Sequence, residues 1–175
     1  VLEAGIAQAK AGKLRQECGA GILDLQVEGD TLWLDSPRAT STPLGVADLA
    51  ALQKSLQTNF KNTPIVINVG PRWLVAELAS ADAVAALQPD LPLIAALSLR
   101  LEIGGVTVYG AASDGRSAIQ LRSFAPAHGI PEDPVCGSGN ISVAAYLRAS
   151  GQASRFGPRY LARQGMQLGR DGQVS

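Results

Sequence analysis

The spacing of apolar and polar positions changes several times along this 175-residue chain, and each change marks an element. Residues 2–12 have helical composition, with Gly12 placed as a C-cap. Apolar positions alternate over residues 21–28 and 31–35, which predicts two strands joined at Gly29-Asp30. Residues 36–43 hold two prolines and four Ser/Thr residues and read as a loop and a domain boundary. Leu49, Leu52 and Leu56 recur at helical spacing, giving a helix capped by Asp48 and running to about Gln57. Residues 64–69 and 73–78 read as strands around Gly70-Pro71, followed by a helix from Ser80 to Leu87 and another over residues 92–98. Two more strands, 106–109 and 117–124, flank the turn Ser113-Asp114-Gly115. Residues 140–149 are apolar almost all round (Ile141, Val143, Ala144, Ala145, Leu147), so that helix is expected to be buried. A strand over 159–163 and a hairpin turn at residues 169–172 end the pattern.

Composition narrows the class. A hydrophobic content of 46% with 17% charged residues is that of a globular chain with a core, one domain or two small ones. Fifteen Lys and Arg balance fifteen Asp and Glu, so no basic surface points to nucleic acid or membrane partners. No apolar run reaches membrane-spanning length, the first residues lack a basic-then-apolar signal, and two cysteines make no disulfide scaffold. A cytoplasmic protein is expected.

The chemistry concentrates in residues 122–145. A β-like run gives way to a turn-rich segment carrying Glu132 and Asp133, then to Cys136-Gly137-Ser138-Gly139 and the apolar helix. Pro134 keeps Asp133 out of helical conformation, so the acidic pair arrives in extended chain. Gly137 and Gly139 allow a tight turn and a close approach to a ligand. With Ser138 or Asn140 as N-cap, the free N–H groups of the first turn and the helix dipole suit an anion such as a carboxylate or an enolate. The same field should favour the Cys136 thiolate, making Asp133 and Cys136 candidates for proton transfer beside an anion cradle.

Other motifs fail. No Lys follows Gly139 as a phosphate loop requires, and the glycines flank Ser138 too closely for a nucleophile elbow. The one histidine, His128, lies upstream of Cys136, against a papain-like arrangement. Two cysteines 118 positions apart and one histidine make no zinc cluster, so no metal is expected.

Residues 122–126, Arg-Ser-Phe-Ala-Pro, followed by Gly-Ile-Pro-Glu-Asp-Pro-Val-Cys-Gly-Ser-Gly over 129–139, closely resemble the phenazine-biosynthesis PhzF-like proteins. Residues 16–21 and 70–75 fit as well, and the resemblance runs through nearly the whole chain. It implies an α+β fold, a diaminopimelate epimerase-like barrel of mixed strands around a buried central helix. Residues 1–43 would be the end of an N-terminal epimerase-like domain and 44–175 most of the C-terminal one. It implies a cofactor-independent isomerase or epimerase that moves a proton on a small carboxylated metabolite. Independently, the exposed strand edges of a truncated β-rich domain predict a homodimer. Asp133 and Cys136 would be catalytic, and Gly137, Ser138 and Gly139 would bind substrate. Cys136 replaces the family's frequent Thr, and Cys-Gly-Ser-Gly is similar to the Cys-Gly-Thr-Gly of diaminopimelate epimerases and proline racemases. There the cysteine is one of two acid/base residues. The family's base glutamate belongs to a segment that does not occur in residues 1–175, so the chain reads as a fragment, inactive alone. A module that keeps the anion cradle without the chemistry is the alternative.

Four further residues carry expectations. Cys18 reads as structural, His128 as an exposed loop residue, and Trp33 and Trp73 as core. Arg122 would pair with Asp133 or with a substrate carboxylate.

Overall fold

The computed structural model describes residues 7–18, 21–29, 31–34 and 38–175, which form two compact units, 1–38 and 39–175. The smaller unit is an antiparallel meander of β1 (Lys13–Cys18), β2 (Gly21–Glu28) and β3 (Thr31–Leu34) in that order. Its register places Leu14 opposite Leu25 and Leu25 opposite Leu34, with Val27 opposite Leu32, so one face is apolar. The hairpin expected at Gly29-Asp30 forms, although Asp30 itself lies outside the described residues. The helix expected over residues 2–12 does not extend through its described part. Lys10 and Lys13 bridge across a turn in which Ala11 and Gly12 have positive φ, so Gly12 serves the turn and not a helix end.

The larger unit is mixed α+β. Its strands are β4 (Thr40–Pro43), β5 (Ile65–Asn68), β6 (Arg72–Glu77), β7 (Gly105–Ala111), β8 (Ile119–Ala125), β9 (Ile130–Asp133), β10 (Ala162–Gln164) and β11 (Gly172–Val174). They order as β11-β10-β8-β7-β6-β5-β4, with β9 also pairing β8. Two pairs are parallel, β6 with β7 and β8 with β10, and both need helical crossovers. The first crossover holds α2 (Ala81–Ala86) and α3 (Leu91–Leu101); the second holds α4 (Gly137–Ala149) and α5 (Ala153–Phe156). The helix α1 (Val46–Leu56) joins β4 to β5.

Alternation along the strands feeds two cores. Val66, Leu74, Ala76, Val106, Val108 and Phe124 face α1, α2 and α3, whereas Ile67, Trp73, Val75, Tyr109, Ile119 and Leu121 face α4. The strand β6 is buried on both faces, which is why its sequence reads as one apolar run. On α4 the side chains of Val143, Tyr146 and Leu147 are buried and those of Ile141, Ala144 and Ala145 half-buried, as the all-round apolar pattern predicts.

Several boundaries differ from the pattern. Thr40–Pro43 is an edge strand, not a loop; its four residues are exposed, so no alternation marked it. Gly45, not Asp48, is the N-cap of α1, and Asp48 in the first turn pairs with Arg100 of α3 at 2.6 Å. Ser80 caps α2 as expected, accepting from the Ala83 N–H at 3.2 Å. At the end of β6, Glu77 is fully buried, bonded to Arg155 of α5 and to Asn62 Nδ2 at 2.5 Å, with Lys61 Nζ at 3.7 Å. No helix among the described residues is long and apolar enough to cross a membrane.

Candidate active site

The site is built where β9 runs into α4. The segment 130–133 pairs with β8 as a strand, with a register shift between Ser123 and Ala125. A bulge of this kind re-aims side chains and hides a strand from sequence periodicity. Successive residues then point opposite ways. Glu132 meets Arg122 in a bidentate pair, Nε to Oε1 at 2.9 Å and Nη2 to Oε2 at 2.7 Å. Arg122 Nη1 also donates to the carbonyls of Val84 at 3.2 Å and Leu87 at 2.7 Å, and the guanidinium lies over the Phe124 ring. Both charged side chains are over nine-tenths buried. Arg122 therefore pairs with Glu132, not with Asp133, and four of its five N–H donors tie β8 to β9 and to the end of α2.

Asp133 is half-buried, and its Oδ1 accepts from the Val135 N–H at 3.0 Å. Three residues on, Cys136 takes an extended conformation (φ −92°, ψ 100°) and caps α4, its Sγ accepting from the Gly139 N–H at 3.3 Å. Neither Ser138 nor Asn140 is the N-cap. The Ser138 hydroxyl oxygen accepts from Trp73 Nε1 at 2.9 Å, and Asn140 Nδ2 donates back to the Cys136 carbonyl at 2.9 Å. Cys136 is 4% exposed, and burial, the largest influence, raises its thiol above the ordinary value. The Asp133 charge raises it further, and the bonds from Gly139, Ser138 and Ser123 pull it down by less. The expected thiolate is thus not favoured: desolvation outweighs the helix terminus.

The first turn of α4 is open at one end and closed at the other. Nothing lies within 4 Å of the place a Gly137 Cβ would occupy, and among the described residues no group bonds the Gly137 or Ser138 N–H. A Cβ at Gly139 would instead sit 2.6 Å from Ser123 Oγ and 3.0 Å from Thr107 Oγ1. Those two hydroxyls bond one another at 3.0 Å and are fully buried. Gly139 is therefore part of the floor, and the donors of Gly137 and Ser138 form the accessible cradle.

All five residues expected at the site, Asp133, Cys136, Gly137, Ser138 and Gly139, lie in this one loop and helix start. Their chain proximity makes that unavoidable, so it is their division of labour that the structure adds. Sequence reasoning missed Gln164, which reaches the loop from β10, and the bond of Trp73 to Ser138. Neither has a local pattern to betray it, since both act across long sequence separations of 28 and 65 residues. His128 is exposed in a turn, and Cys18 ends β1 with its side chain outside the described residues.

Comparisons with known proteins bear on this geometry. A family model described as "Phenazine biosynthesis-like protein" matches residues 2–175. "Antisense-enhancing sequence 1" of Schizosaccharomyces pombe is 30% identical over 97% of this chain and 60% of its own length. A trans-2,3-dihydro-3-hydroxyanthranilate isomerase of Pseudomonas fluorescens is 36% identical over 78% of this chain and 46% of its own length. A PhzF-family phenazine biosynthesis protein of Bacillus anthracis superposes with a TM-score of 0.78 at 17% identity, over 98% of this chain and 61% of that one. The chain thus spans roughly half to three-fifths of the lengths of these relatives.

Proposed function

The chain belongs to the phenazine biosynthesis-like protein family, and from that premise we propose a cofactor-independent isomerase that relocates a proton on a small carboxylated substrate. The observation that carries this reading is the pairing of a half-buried Asp133 carboxylate with an open helix N-terminus three residues away. The Gly137 and Ser138 N–H groups would hold the substrate carboxylate or the developing enolate, favouring the charge where it forms. Asp133 would take or return the proton. Cys136 would cap α4 in the place of the family's Thr, because its thiol is buried, already bonded to Gly139 and held protonated. The name of the Pseudomonas fluorescens relative makes trans-2,3-dihydro-3-hydroxyanthranilate the first substrate to try.

The test is incorporation of solvent deuterium into that compound and into small amino acids, with the 175-residue chain alone and with the protein isolated from its native source. The chain alone is expected to be silent, because the family resemblance puts a catalytic glutamate outside residues 1–175. In the native protein, Asp133→Asn should lower turnover by at least about 100-fold, while Cys136→Thr stays within about 10-fold. Equal, undiminished turnover in the Asp133→Asn protein would refute the assignment of the proton. Ligand binding without exchange in the native protein would favour an anion-binding module instead.

A further inference from the structure

Gln164 ends β10 and is 1% exposed. Its carboxamide makes three bonds into the loop that carries the candidate site. Oε1 accepts from the Cys136 N–H at 3.1 Å and from Asn140 Nδ2 at 3.1 Å, while Nε2 donates to the Asp133 carbonyl at 2.7 Å. The partners leave only one orientation: a carbonyl can only accept, and a backbone N–H can only donate. The next residue brings the two backbones together. A Cβ at Gly165, where φ is +88°, would lie 2.4 Å from the Pro134 carbonyl oxygen.

One rigid planar group thus fastens both ends of the segment 133–136. From this clamp we infer that Gln164 is a positioning residue, fixing the separation between Asp133 and the cradle at the start of α4. The inference rests on the isomerase reading above and deepens it. Gln164 touches no part of the cradle that a substrate would occupy; it acts through Asp133, Cys136 and Asn140. Its leverage comes from geometry, since misplacing a reacting group by about 1 Å can cost about 100-fold in rate.

Two variants separate positioning from bulk stability. Gln164→Met keeps the volume and removes all three bonds. Gln164→Glu keeps an acceptor for Cys136 but, when ionised, offers no donor to the Asp133 carbonyl; protonated, it offers one again. In the native protein, Gln164→Glu should lower kcat at neutral pH by about 10- to 100-fold with KM changed less than about 3-fold. The deficit relative to wild type should shrink as pH falls and the new carboxyl protonates, whereas that of Gln164→Met should not. In the 175-residue chain, amide hydrogen exchange at Cys136 should accelerate at least about 10-fold in Gln164→Met, with β7 and β8 still protected.

A Gln164→Glu deficit that ignores pH would overturn the inference. So would unchanged Cys136 protection in Gln164→Met, or a loss of protection shared by the whole sheet. If the wild-type protein exchanges no substrate proton, the isomerase reading fails by itself, and Cys136 protection still decides whether Gln164 holds the loop.

Discussion

Replacing Gly139 with alanine sets two effects of opposite sign against each other, and the geometry says which wins. Alanine in a helix is favoured over glycine by up to about 1 kcal/mol. Against this, the new methyl would lie 2.6 Å from Ser123 Oγ, 3.0 Å from Thr107 Oγ1 and 3.1 Å from Cys136 Sγ. Ser123 has no free space to turn into, because it is fully buried and its hydroxyl is bonded to Thr107 at 3.0 Å. Rotating it away would leave two buried hydroxyls unpaired, at roughly 1–3 kcal/mol each. Pushing α4 outward would strain a packed core at the lower cost of about 1–3 kcal/mol. The outward shift is the cheaper route, and less the propensity gain it leaves Gly139→Ala destabilised by about 1–2 kcal/mol, with Tm lowered by about 2–8 °C. Urea and thermal melts of the 175-residue chain measure this directly. In a Ser123→Ala background the 2.6 Å contact disappears, so the same substitution should cost at least about 1 kcal/mol less. A Gly139→Ala protein as stable as wild type, or a cost unchanged by Ser123→Ala, would refute the claim that Gly139 is held small by these hydroxyls.

Two further outcomes follow from the buried charges. Arg122→Met leaves the Glu132 carboxylate buried without its bidentate partner and should cost about 3–5 kcal/mol, most of it recovered by adding Glu132→Leu; equal melts for the single and double variants would exclude this account. For Glu77, burial is the largest single influence and raises the carboxyl, but bonds from Arg155 and Asn62 and the charges of Arg155 and Lys61 together hold it below 4.5. A lowered folded value means the unfolded chain binds the proton first, so this stabilisation is present above pH 4.5 and fades as pH falls through the folded value. Glu77→Gln should therefore cost about 1–3 kcal/mol at pH 7, the partial exposure of Arg155 and Lys61 trimming the buried-pair figure, and progressively less below pH 4.5; a gap that widens in acid would contradict it.

Much of this fold was legible because burial and periodicity agree. The runs at β5, β6, β7 and β8 and the all-round apolar α4 announced themselves through residues that now fill the two cores. The acidic pair, the glycines and the cysteine marked the site because they are contiguous. What the sequence hid has physical causes. Thr40–Pro43 is an exposed edge strand without alternation, and β9 is a short strand shifted in register beside a bulge. The electrostatic expectation for Cys136 failed because its burial depends on the packing of β8 and α4, which no local pattern reports. Glu132 and Asp133 look equivalent in the chain, yet one is a structural partner of Arg122 and the other is left to the loop.

The clamp on this loop also orders events in time. The acceptor that Cys136 and Asn140 need arrives 28 and 24 residues later in the chain, after all of α4 and α5. Such non-local contacts must first meet the entropy of closing the intervening segment. On a chain emerging from the ribosome, β7 and β8 can already pair while Cys136 still lacks its partner, so the site matures only when β10 docks alongside β8. Pulse-labelled refolding should accordingly protect the Cys136 amide after those of β7 and β8. A late-closing entrance means that mutations in β10, remote in sequence from every reactive group, would delay the acquisition of binding competence without slowing collapse of the core.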